Sequence, residues 1–134
     1  MDTDTANAWL TGNFADWVLA LEPEVVRAGC TGVALSIPVR SAITQPGGHV
    51  AGPALTTLAE TAMILACARH LRAFRPMNRV SLDMQFFRPA QGERIGCAAT
   101  VEQADKALIF TRAVLTAEPS SRDVAAATAA FALG

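Results

Sequence analysis

The sequence predicts an α+β fold in which one long helix packs against a curved antiparallel sheet. Three observations carry that prediction. A stretch from Ala54 to Ala73 contains nothing that breaks a helix and is apolar over most of its length. Two short alternating segments precede it, between Glu24 and Ser41, and four follow it, from Asn78 onward. Successive strands joined by short turns pair antiparallel, and a long apolar helix must bury its face on the sheet they form. With 134 residues the chain fits a single domain over 1–134.

The elements follow in order. Between Thr5 and Leu21, the residues Trp9, Leu10, Phe14, Trp17, Val18 and Leu21 share one helical stripe. They predict an extra N-terminal helix over the core or a pocket rim, weakened at Gly12 and ended by Pro23. From Val33 to Val39 apolar residues alternate with small or polar ones, and Ala28–Gly32 reads as the turn of a hairpin. Gln45–Gly48 is loop chemistry, and Pro53 suits the first turn of the long helix. Leu55, Leu58, Ala59, Ala62, Leu65 and Ala66 form its broad core face. Arg69, His70, Arg72 and Arg75 complement the negative end of the helix dipole, and Pro76 marks the stop.

Beyond Pro76 a first strand carries Val80, Leu82, Met84 and Phe86 on one face and Ser81, Asp83, Gln85 and Phe87 on the other. A second alternates Ile95, Cys97, Ala99 and Val101, and a third spans Ala107 to Glu118. The tail from Val124 has helix-favouring alanines, yet its place in a hairpin rhythm favours a final strand, which is the reading adopted. Leu55, Leu58, Leu65, Met84, Phe86 and Phe110 are expected in the core, although any could line a pocket.

Composition excludes several functions. Hydrophobic residues make up 51% and charged residues 17%, with a net charge of -1, so no electrostatic footprint for nucleic acid or an acidic membrane exists. The apolar excess in so small a chain implies that a second copy covers part of its surface. The stretch from Ala51 to Ala68 approaches a membrane span in length but contains Glu60 and three threonines. The acidic N-terminus is unlike a secretion signal, and Cys30, Cys67 and Cys97 suit buried free thiols, so a cytoplasmic location is expected. Two histidines 21 residues apart and scattered cysteines make no metal-ligand cluster, and no cofactor is expected.

Glu60 is the residue that asks for a function. A carboxylate within the most hydrophobic long segment must reach solvent, find a partner, or face a cleft. In a mostly apolar cleft it becomes a poised base or nucleophile. Thr56, Thr57, Met63 and Ile64 lie within one turn of it. Gly52, just before Pro53, offers a free backbone N–H at the positive end of the helix, able to hold charge developing on a carbonyl oxygen. Eight residues separate Gly52 from Glu60. That is about 12 Å along the axis at ~1.5 Å per residue, too far for both to reach one carbonyl. Two antiparallel copies of the helix would bring Gly52 of one chain near Glu60 of the other, giving two equivalent sites in a two-fold dimer.

The order of Gln45, Gly52, Pro53 and Leu58–Ala62 ("LAETA"), followed by "SLDMQFFRPAQGERI", resembles the hotdog-fold thioesterases of the PaaI-like type. The likeness runs roughly from Ser36 to the end. It implies a hotdog fold: a long central helix wrapped by a curved antiparallel sheet. It further implies an acyl-CoA thioesterase in which the acid at Glu60 is nucleophile or general base. The amide of Gly52 would bind the thioester oxygen, with Gln45, seven residues earlier, assisting. The Gln/Gly/Glu combination is similar to the Glu-bearing 4-hydroxybenzoyl-CoA thioesterases, which implies dimers or dimers of dimers. The family's common His-Gly-Gly reads Ala51-Gly52-Pro53 here, and His49 lies two residues earlier than the usual histidine. Arg79 occupies the region where some relatives carry a water-positioning hydroxyl, and Arg88 follows "FF" where a phosphate-bearing ligand could lie. With Thr56, Thr57 and Ile64 these complete the expected substrate contacts.

Three other readings stand beside hydrolysis. A non-catalytic acyl-CoA or acyl-carrier binding module would be stabilised by the thioester without releasing thiol. A hydratase on the same fold would want a histidine near Glu60, and this helix has none there. A purely structural oligomer would bind no ligand.

Overall fold

The computed structural model describes residues 3–30 and 32–133. Its elements are α1 (Thr3–Asn13), α2 (Asp16–Leu19), β1 (Glu24–Gly29), β2 (Gly32–Pro38), a 3-10 turn at Ser41–Ile43, α3 (Gly52–Leu71), β3 (Met77–Phe86), β4 (Arg94–Ala104), β5 (Leu108–Glu118) and β6 (Arg122–Leu133). The six strands form one antiparallel sheet in the order β1-β2-β4-β5-β6-β3. The connection through α3 carries the chain from β2 to the far edge, so β3 ends the sheet beside β6. Thr31, in the predicted hairpin turn, lies outside the described residues.

α3 starts where the sequence requires it. Ala51 precedes it in an extended conformation, Pro53 occupies the first turn, and Arg72 closes it in the left-handed region with φ 61°. The Arg72 and Ala73 N–H groups then donate to Arg69 and Ala68 carbonyls. Burial extends further round the helix than the expected stripe, because Thr61, Met63, Cys67 and Ala68 are buried along with Leu55, Leu58, Leu65 and Ala66. A helix apolar on most sides belongs inside a wrapping sheet. Truncating Leu58 or Leu65 to alanine there would cost about 2–5 kcal/mol.

β4 and β5 follow the period-two reading: Ile95, Cys97 and Ala99 are buried, as are Ile109, Ala113, Leu115 and Ala117. The alanine-rich tail is a strand, paired to β5 on one side and β3 on the other. Those alanines are hydrogen-bonded between two neighbouring strands, which overrides their helix propensity.

Several expectations fail for identifiable reasons. The N-terminal helix is two helices, broken at Phe14–Ala15, so Trp17 leaves the stripe and is 64% exposed. Phe110 faces outward between the buried Ile109 and Thr111. Phe86 and Val80 are exposed on the edge strand β3, where no further strand covers them. Cys30 is exposed, unlike the buried Cys67 and Cys97.

The two sheet edges are finished differently. α1 packs beside β1, and Asn7 clamps the backbone of Val25: its Oδ1 accepts the Val25 N–H at 3.0 Å and its Nδ2 donates to the Val25 carbonyl at 3.3 Å. β3 has no such cover from α1, and beside it Val80, Phe86 and Phe87 are exposed by 60%, 53% and 53%.

Candidate active site

A β-bulge sets the chemistry around Glu60. The β3–β6 register pairs Arg79 with Phe131 and then Ser81 with Ala130, leaving Val80 as the extra residue. Residues directly opposite share a face, and Phe131 is buried. Arg79 therefore points toward α3 on the same side as Leu82 and Met84, although strict alternation assigns it to the other face. Its Nη1 donates to Glu60 Oε2 at 2.5 Å. The Glu60 side chain retains 28% of its exposure and that of Arg79 48%, so the pair is partly solvated. Such a pair orients the carboxylate more than it stabilises the fold.

Glu60 opens into a cleft of about 340 Å³ whose apolar walls include Phe14, Ile64, Phe74, Met77 and Phe131. Phe14 and Phe74 meet edge to face, with ring centroids 5.8 Å apart at 77°. The break between α1 and α2 places Phe14 in this wall. Arg75 and Asn13 stand at the same cleft.

Gln45, His49, Gly52 and Arg88 gather in a second cleft of about 320 Å³, together with Phe86 and Phe87. Its loop is tightly tied. The Gln45 N–H donates to the His49 carbonyl at 2.8 Å, and the Gly48 N–H to the Gln45 carbonyl at 2.9 Å. Gly47 and Gly48 hold φ of 104° and 87°, which glycine adopts without steric cost. Val50 and Ala51 then donate to Ala90 and Ile43, fixing the entrance of α3.

The Gly52 N–H has no acceptor among the described residues. A Cβ added at Gly52 would meet nothing nearer than Phe86 Cζ at 3.8 Å, so the fold itself does not demand glycine there. Arg88 Nη1 donates to the Asp123 carbonyl, which holds the guanidinium beside the cleft.

The structure thus brings Glu60, Ile64 and Arg79 together, and separately Gln45, His49, Gly52 and Arg88. Within one chain the two groups occupy different clefts. Thr56 and Thr57 line neither. Their hydroxyls donate to the Gly52 and Pro53 carbonyls at 3.0 and 2.9 Å. The aromatic wall of Phe14, Phe74 and Phe131 was not among the expected site residues, because nothing in local periodicity joins an N-terminal break to the end of β6. Among the described residues no cysteine lines either cleft, and burial pushes the Cys67 and Cys97 thiols up to about 12.

A long helix wrapped by an antiparallel sheet is the hotdog arrangement. The chain belongs to the thioesterase superfamily, whose family model matches residues 47–124, more than half of its length. Solved structures agree on the fold. Thioesterase superfamily member 2 from zebra fish is 24% identical, with a TM-score of 0.83 and coverage of 98% of this chain and 95% of that one. A thioesterase from Haemophilus influenzae is 19% identical, with a TM-score of 0.84 and coverage of 96% and 87%. A thioesterase family protein from Silicibacter pomeroyi is 22% identical, with a TM-score of 0.82 and coverage of 96% and 95%. No curated protein sequence matches the chain. Among the described residues no helix is long and apolar enough to cross a membrane.

Proposed function

We propose that this protein hydrolyses a small or medium acyl-CoA, aromatic acyl groups included, at a site built from two subunits. The observation that carries the reading is the separation of the acid from the amide. Glu60 faces one cleft, Gly52 faces another, and a two-fold axis between antiparallel α3 helices would join Glu60 with Gly52 of the partner subunit. The exposed edge of β3, with Val80 and Phe86, supports a mate on that side. A homodimer is the minimal active unit, and pairing of dimers is compatible with it.

The thioester carbonyl would lie between the two elements. Either a Glu60 oxygen attacks the carbonyl carbon, or Glu60 takes a proton from a water that does. In both cases the carbonyl electron pair moves onto oxygen, where the glycine N–H holds it. Collapse breaks the carbon–sulfur bond and expels the thiolate, which takes back the proton held by Glu60 in the general-base route and a proton from water in the nucleophilic route. If Glu60 attacks, the resulting acyl-glutamyl anhydride is then opened by water. Gln45 orients the carbonyl, while Ile64 and the aromatic wall receive the acyl group. His49 and Arg88, which line the Gly52 cleft, serve the rest of the substrate. Arg79 holds the Glu60 carboxylate in place before substrate arrives. The Gln/Gly/Glu combination supports a reading as a Glu-bearing thioesterase of the 4-hydroxybenzoyl-CoA type.

Thiol release from a panel of aliphatic and aromatic acyl-CoAs tests this reading. Glu60→Gln should lower turnover by about a hundred- to ten-thousand-fold. Full activity in that variant would remove Glu60 from the chemistry. The Arg79 ion pair, which already neutralises Glu60, favours one alternative: a non-catalytic acyl-CoA or acyl-carrier binder. Thermal stabilisation by every thioester tested, with no thiol released by wild type, would decide for it.

A further inference from the structure

A further cleft, of about 460 Å³, opens between the C-terminal end of α3, the tip of the β1–β2 hairpin and the far end of β4. Arg69 lines it and follows Glu60 by nine residues. At about 100° per residue, nine residues put the two side chains on opposite faces of the helix. This cleft is therefore distinct from the one Glu60 faces.

Arg69 is incompletely satisfied there. Its Nε is the one buried side-chain nitrogen or oxygen among the described residues that lacks a hydrogen-bond partner. Neither ion pair among those residues involves it. The nearby acid, Glu102, is the extra residue of a β-bulge between Val101 and Gln103 and stands exposed on the cleft wall. A buried cationic N–H without an acceptor is costly, and native structures seldom leave one without a reason.

We propose that this cleft is a second binding site, which takes the carboxylate of a small organic acid on Arg69. A guanidinium offers its Nε–H and one Nη–H side by side, spaced for the two oxygens of a carboxylate. A small turn of the side chain toward the cleft presents that edge. His70 adds a donor at the same wall, and Ala66, Val101 and Ala104 supply an apolar surface for the body of the acid. A bare phosphate would leave that surface in water, which is why an organic acid is the better occupant. The volume is that of an ordinary small-molecule site. The negative end of α3 opposes an anion, but its Ala68 and Arg69 carbonyls are already engaged by the Ala73 and Arg72 N–H groups, and its partial charge is about half that of one guanidinium.

Benzoate is a suitable probe. Titrated into the full chain labelled with nitrogen-15, it should shift one arginine Nε–H signal saturably, with one-to-one stoichiometry. That signal should be missing in Arg69→Met, and benzoate affinity in that variant should fall about tenfold or more. Arg69→Lys should recover part of the loss. Glu60→Gln should bind benzoate as wild type does, which separates this site from a product acid bound in the Glu60 cleft. Inorganic phosphate should bind more weakly than benzoate. The absence of any saturable shift in the wild-type arginine signals, equal affinity in Arg69→Met, or loss of the shift in Glu60→Gln would each overturn the proposal. Phosphate binding as tight as benzoate binding would overturn the choice of an organic acid.

Discussion

The two edges of the sheet carry opposite treatments, and the contrast bears on function. At β1 the chain covers its own edge: α1 lies beside it, and Asn7 takes both a donor and an acceptor of the Val25 backbone. At β3, the strand that aims Arg79 at Glu60, apolar side chains are left exposed. An uncovered apolar edge invites another strand. The chain shields the edge remote from Glu60 and leaves open the one beside it, where the proposed reading needs a second subunit.

The contrast can be broken at the open edge first. Val80→Lys puts a charge where the proposed mate would pack, and sedimentation should report monomers. Because each monomer would retain Glu60 but lose the oxyanion donor of its mate, thiol release should fall about a hundredfold or more. Retained dimers with full activity would place the interface elsewhere. Gly52→Ala comes next. The added Cβ meets only Phe86 at 3.8 Å, so the melting temperature should barely move. Crowding beside the N–H should still lower kcat/KM about tenfold, since displacements of an ångström at a reacting carbonyl cost that order. At the covered edge Asn7→Ala should cost only about 1 kcal/mol of stability, seen in denaturant unfolding, and leave thiol release unchanged. A large loss of activity there would contradict the assignment of Asn7 to structural cover.

Much of this was legible in the residues. Pro53 and Pro76 bracket α3, and the alternation in β4 and β5 is plain. What escaped was geometry that depends on register. A period of two assigns Arg79 and Leu82 to opposite faces, and only the bulge at Val80 brings them to the same one. The basic cluster from Arg69 to Arg75 reads as a charged helix end, while in the fold its members separate: Arg69 and His70 reach one cleft, Arg75 another, and Arg72 closes the helix. The break at Phe14 is equally hidden, because Trp9, Phe14 and Trp17 satisfy helical spacing whether or not the helix continues. For the proposed site, the choice of Glu60 and Gly52 rests on their place on α3. Their division between two clefts followed from helix length alone.

The most direct test of the composite site mixes two inactive variants. Glu60→Gln and Gly52→Val are each prepared alone and then co-expressed, and thiol release is measured on the mixture. If acid and amide come from different subunits, each mixed dimer owns one intact site, and the mixture should recover about a quarter of wild-type activity. If both act within one chain, every site carries a lesion, and the mixture would stay as inactive as its components.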